Sequence, residues 1–117
     1  LLMLPIGYME AVMAWLLLTI SGGLEVVWAS ALKASDGFSK PFYSVIVAIA
    51  AFASFWLLAY AMKSLPLGTT YPVWVGIGAV GTFIVGVTMF DETASPLRLA
   101  SVALIVIGIA GLKLAEG

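Results

Sequence analysis

The stretch Ala11–Ala34, AVMAWLLLTISGGLEVVWASALKA, decides the fold. From Ala11 to Leu32 it carries one ionisable side chain, Glu25, among apolar and small residues. A helix crosses the hydrocarbon core of a bilayer in about 20 mostly apolar residues, so this stretch reads as a transmembrane helix. It shows no alternation of period two, which membrane barrel strands would need. The break Ser35-Asp36-Gly37 closes it.

Outward from that span three more follow. One runs from about Pro41 to Met62, opening on a proline whose missing N–H is harmless in a first turn, and stops at Lys63-Ser64-Leu65-Pro66. The next covers about Gly68 to Phe90, where Asp91-Glu92 returns the chain to water, and the last about Ser95 to Ala115. Connections of a few residues make consecutive helices antiparallel neighbours. The sequence therefore predicts an all-α membrane protein, an up-down bundle of four helices in one unit over residues 11–117. Residues 1–10, LLMLPIGYME, hold no Lys or Arg and so lack the positive region of a secretory signal. They are expected to be an upstream leader or an appended segment, with Met13 a natural start.

Composition agrees. The 117 residues are 63% hydrophobic and 9% charged, with a mean hydropathy of +1.18, whereas a soluble domain is about a quarter charged. A soluble globular enzyme is thereby excluded. No Cys and no His occur, so thiolate and imidazole chemistry is absent, and neither a metal nor a cofactor is expected. A net charge of −1 offers no basic stripe for nucleic acid. The partner that such a surface demands is the lipid bilayer.

Lys and Arg near the membrane normally set orientation. Lys33, Lys40 and Arg98 fall on one face, and Lys63 and Lys113 on the other. Three against two is almost no bias. Insertion both ways round is expected, which makes an antiparallel dimer of identical subunits possible; the alternative is that an insertion factor or lipid decides one orientation.

Glu25 is the expensive residue. An acidic side chain mid-membrane is strongly disfavoured unless paired or neutral, and no Lys or Arg shares its depth, since Lys33 and Lys113 near helix ends can snorkel outward. It must be protonated, hydrated or holding an outside cation. Proton and cation then compete for one carboxylate, and exchange follows if the empty charged site does not cross readily. The alternative is a structural Glu bonded to a neighbouring helix.

Helical spacing puts Gly22, Glu25, Trp28 and Ala29 on one face. Gly22 lets another backbone or a ligand approach. Trp28 supplies an N–H donor and a π-face for a planar cation, although a tryptophan there also packs well against lipid. Tyr71 and Trp74 lie three apart on the third span, and Ser54 places a hydroxyl at mid-depth on the second. Ser54, Tyr71, Trp28 and Trp74 are candidates to orient the Glu25 carboxylate, because polar groups in a membrane seek partners within the bundle. The run Val75-Gly76-Ile77-Gly78-Ala79-Val80-Gly81 allows either bending or tight packing. Gly108 and Gly111, with Ala103 and Ala110 nearby, fit a small-residue contact between helices, best used at a dimer interface.

These residues carry a resemblance. Gly23-Leu24-Glu25-Val26-Val27-Trp28-Ala29 with Leu32-Lys33, then Ala61-Met62-Lys63-Ser64-Leu65-Pro66-Leu67-Gly68-Thr69, resemble the small multidrug resistance transporters. So do Tyr71, Val73-Trp74, the glycine run, Ala94-Ser95-Pro96-Leu97-Arg98 and Gly111-Leu112-Lys113. The likeness extends from Met13 to Leu114. Trp28, three residues after the acid, is similar to the guanidinium-exporting subtype, whereas quaternary ammonium exporters usually have a small residue there. Pro72 and Val75 stand where the family commonly has Ala and a hydroxyl residue.

The resemblance implies a proton-coupled antiporter exporting guanidinium and small guanidinyl compounds across the bacterial cytoplasmic membrane, working as an antiparallel dual-topology homodimer. It also implies that Glu25 is the shared proton and substrate site, with Trp28, Ser54 and Tyr71 forming a polar network, Trp74 lining the pocket and Gly22 making room beside the acid. Two alternatives stand beside it: an exporter of quaternary ammonium or aromatic cations, and a membrane subunit that assembles with a larger complex and transports nothing.

Overall fold

A computed structural model describes residues 6–116 as four helices: α1 (Ile6–Ala34), α2 (Pro41–Ala61), α3 (Leu67–Met89) and α4 (Pro96–Glu116). Each is long and apolar enough to cross a membrane, and no strand occurs among the described residues. The expected all-helical, four-span architecture is thus the observed one. Helix α1 has 29 residues, about 43 Å at 1.5 Å per residue, and overreaches a hydrocarbon core of about 30 Å. Its start at Ile6 lies inside the segment expected to be a leader; residues 1–5 of that segment lie outside the described residues.

Local chemistry sets the helix ends. After Ala34 the chain turns through three consecutive left-handed residues, Asp36 (φ 49°), Gly37 (φ 70°) and Phe38 (φ 65°), which no helix can continue. Buried Ser35 holds that turn: its hydroxyl donates to the Leu32 carbonyl at 2.7 Å and accepts the Phe38 N–H at 3.0 Å. Proline opens α2 at Pro41 and α4 at Pro96, and Pro66 caps α3 in an extended conformation. Ahead of α4 the Ser95 hydroxyl accepts the Arg98 N–H at 3.3 Å, as N-cap serines do. Pro72 sits inside α3.

Helix α1 is the centre of the bundle. Helices α2 and α3 both pack on it and touch each other only slightly, and α4 packs on α3. The buried residues of α2, Val47, Ala50, Ser54, Leu58 and Ala61, recur every three or four positions and form one stripe. Leu58 and Ala61 pack with Ala14 and Leu18 of α1, Ser54 bonds to Ser21, and Val73 and Trp74 of α3 close the core. Glycines bring α1 and α3 close. A methyl group on Gly22 would fall 2.6 Å from Ile77 Cγ2, and one on Gly81 would run into Val26.

Helix α4 is different. Its span buries nothing fully within the chain. Only Val102, Ile105, Ile109 and Leu112 are half-buried, and a methyl on Gly76 would fall 2.7 Å from Ile109 Cδ1. The other residues of α4 from Pro96 to Ala115 are exposed, and Gly108 and Gly111 face open space.

Candidate binding site

Glu25 and Trp28 lie three residues apart on the face of α1 that turns toward the other helices, both half-buried. The Glu25 carboxylate reaches α3 where Gly78 lies: a side chain there would occupy the carboxylate's place, with Glu25 Cγ only 2.9 Å from the added carbon. Its Oε1 is buried without a hydrogen-bond partner, and so is Trp28 Nε1. A buried donor and a buried acceptor left unmade are each disfavoured. Both belong to this one face of α1.

Ser54 and Trp74 are bonded elsewhere. The Ser54 hydroxyl donates to the Ser21 carbonyl at 2.7 Å, and Trp74 Nε1 donates to Ser54 Oγ at 3.0 Å, so a buried chain of bonds ties α3 to α2 to α1. Within a single chain these two residues knit helices together and satisfy each other. Tyr71 is half exposed, its ring 5.6 Å from that of Trp74, as a three-residue spacing on one helix permits. Gly22 is buried against Ile77, so the space beside the acid is left by Gly78 instead. Adjacency in α1 points to Gly22; only the α1–α3 crossing brings Gly78 to the carboxylate.

An aromatic wall continues from the acid. Phe55 of α2 stands 6.1 Å from Trp28 and 5.6 Å from Trp74, and Trp74 meets Tyr71, giving four rings in succession across three helices. Phe55 follows Ser54 directly, and no spacing rule within α2 singles it out. The set offers a carboxylate, an indole N–H and several π-faces, which suits a small planar cation.

Residues 13–105 match the sequence pattern of the family described as Small Multidrug Resistance protein. The chain belongs to that family. Among its relatives is the guanidinium exporter of Escherichia coli strain K12, 59% identical over 102 residues, which cover 87% of this chain and 97% of the relative. The guanidinium exporter of Yersinia pseudotuberculosis is 58% identical over 104 residues, 89% of this chain and all of the relative. That of Salmonella typhimurium is 54% identical over 102 residues, 87% and 97%. As a small multidrug resistance protein with four spans, the chain is a multi-pass membrane protein.

Proposed function

We propose that this protein is a proton-coupled exporter of guanidinium and small guanidinyl compounds in the bacterial cytoplasmic membrane, and that it works as an antiparallel homodimer. The observation that carries this reading is the Glu25 carboxylate, its Oε1 buried and unpartnered beside the equally unpartnered Trp28 indole, in a chain whose relatives are guanidinium exporters. A planar, forked cation makes paired charge-assisted bonds to a carboxylate. Trp28, Phe55 and Trp74 supply π-faces beside it, Tyr71 extends the wall, and Ser54 holds Trp74 in place.

Coupling follows from exclusive occupancy. A proton or a guanidinium neutralises Glu25, the charged empty form is disfavoured in the membrane, and each guest leaves as the other arrives. Protons entering down their gradient then drive the cation out. In the dimer two such acids converge between the subunits. The near balance of basic residues on the two faces supports dual insertion, and the unburied length of α4 with its open Gly108 and Gly111 supports a partner there.

Glu25→Gln in proteoliposomes tests the reading. Guanidinium-dependent proton movement should vanish while four-helix content by circular dichroism stays unchanged; exchange at the wild-type rate refutes the mechanism. A parallel arm with tetraethylammonium should give little transport, and transport of that ion in preference to guanidinium assigns the site to quaternary cations instead.

A further inference from the structure

Away from Glu25 the protein already holds a guanidinium group. At the end of the bundle formed by the C-termini of α1 and α3 and the start of α4, Arg98 donates from Nη1 to the Thr93 carbonyl at 2.7 Å and from Nη2 to Glu92 Oε1 at 3.5 Å. Its guanidinium carbon lies 5.3 Å from the centre of the Phe83 ring. A carboxylate, a carbonyl and an aromatic face thus converge on one planar cation. These are the groups that recognise a free guanidinium ion.

Backbone geometry builds this seat. Glu92 N–H donates to the Gly86 carbonyl at 3.0 Å, Asp91 adopts φ 56°, and Gly86 leaves room for the Glu92 carboxylate, which a side chain there would displace. The seat borders a cleft of about 470 Å³, lined by Phe83, Glu92 and Arg98 and also by Ala29 and Ala79. Ala29 is one helical turn beyond Glu25 on α1, and Ala79 adjoins Gly78, the residue against the carboxylate. The cleft therefore comes within one helical turn of the acid along α1.

We propose that Glu92, the Thr93 carbonyl and the Phe83 ring form a second, vestibular recognition site for the guanidinium cation, occupied by the Arg98 side chain until a free cation replaces it. This rests on the exporter reading above. The Arg98–Glu92 pair is two-fifths exposed on both sides, and exposed pairs hold weakly, so a free cation exchanges with it readily. Lys33 lines the same cleft, and its positive charge keeps the site weak, as a transit site must be if its guest is to move on. Arg98 is a tethered competitor that shares the substrate's chemistry.

Arg98 is the only arginine in the sequence, so its side-chain signals in protein labelled with nitrogen-15 arginine report this seat alone. In lipid nanodiscs, added guanidinium chloride should shift them saturably in the wild type and in Glu25→Gln, and the saturable shift should be lost in Glu92→Gln. Equal concentrations of sodium chloride should not reproduce it. Radiolabelled guanidinium binding to Glu25→Gln should tighten about two- to sixfold on adding Arg98→Gln, the factor expected when a competitor of exposed-pair strength is removed. A shift matched by sodium chloride, or binding indifferent to both Glu92→Gln and Arg98→Gln, overturns the vestibular site. If the wild type neither binds nor exports guanidinium, the exporter reading itself falls, a result distinct from failure at Arg98.

Discussion

The bonds that tie Trp74 to Ser54 and Ser54 to Ser21 make a quantitative prediction about what holds α1, α2 and α3 together. In Ser54→Ala the Trp74 indole N–H loses its acceptor in a residue only 5% exposed, and an orphaned buried donor is worth about 1–3 kcal/mol. The Ser21 carbonyl loses one bond as well, yet keeps its helical partner, and interhelical bonds in membranes average about 0.6 kcal/mol. Ser54→Ala should therefore destabilise by about 1–3 kcal/mol. Trp74→Phe removes the donor along with some packing. In the double variant the donor is absent already, so losing its acceptor no longer matters, and the combined loss should fall short of the sum by about 1 kcal/mol. Equilibrium unfolding in mixed micelles with sodium dodecyl sulfate measures this, followed by far-ultraviolet circular dichroism so that tryptophan replacement does not alter the signal. Protein concentration is held fixed because assembly shifts apparent stability. Losses that add within about 0.3 kcal/mol would show that the two side chains act independently and that the Trp74–Ser54 bond contributes nothing.

Gly78→Ala should weaken guanidinium binding about fivefold or more, since its methyl group displaces the carboxylate and overpacking of about 1–3 kcal/mol falls on the site itself; isothermal titration checks it, and unchanged affinity refutes the placement. Gly22→Ala meets the rigid branched carbon of Ile77 at 2.8 Å, whereas Gly23→Ala meets nothing within 4 Å. The first should lower stability by about 1–3 kcal/mol and the second should change it by less than about 0.5 kcal/mol, in the same unfolding assay. Gly108→Leu with Gly111→Leu touches open space within one chain, so helix content should persist while the dimer dissociates, read as a halved protein mass in detergent by light scattering. A dimer of wild-type stability in that variant removes α4 from the interface.

Much of the fold is legible along the chain because membrane insertion depends on local properties. Runs such as Ala11–Leu32, with one charge, mark a span by themselves, and Pro41 marks a helix start that the structure reproduces. Glu25 stands out for the same reason, since its cost in lipid needs no knowledge of its neighbours. The role of Gly78 beside the acid, Phe55 and the Arg98 seat do not stand out. Each gains its role from a residue on another helix or across a turn: Glu25 for Gly78, Trp28 and Trp74 for Phe55, Phe83 and Glu92 for Arg98.

Sequence alone settled that the chain crosses the membrane four times and places one acid at its depth, because hydropathy and charge act residue by residue and a bilayer reads them in that way. Tertiary structure decided which polar groups the acid meets. In the single chain Ser54 and Trp74 satisfy each other, leaving the Glu25 oxygen and the Trp28 indole without partners. A hydrogen bond needs two groups about 3 Å apart in a set direction, and that distance is created by helix crossings, which no spacing within one helix encodes.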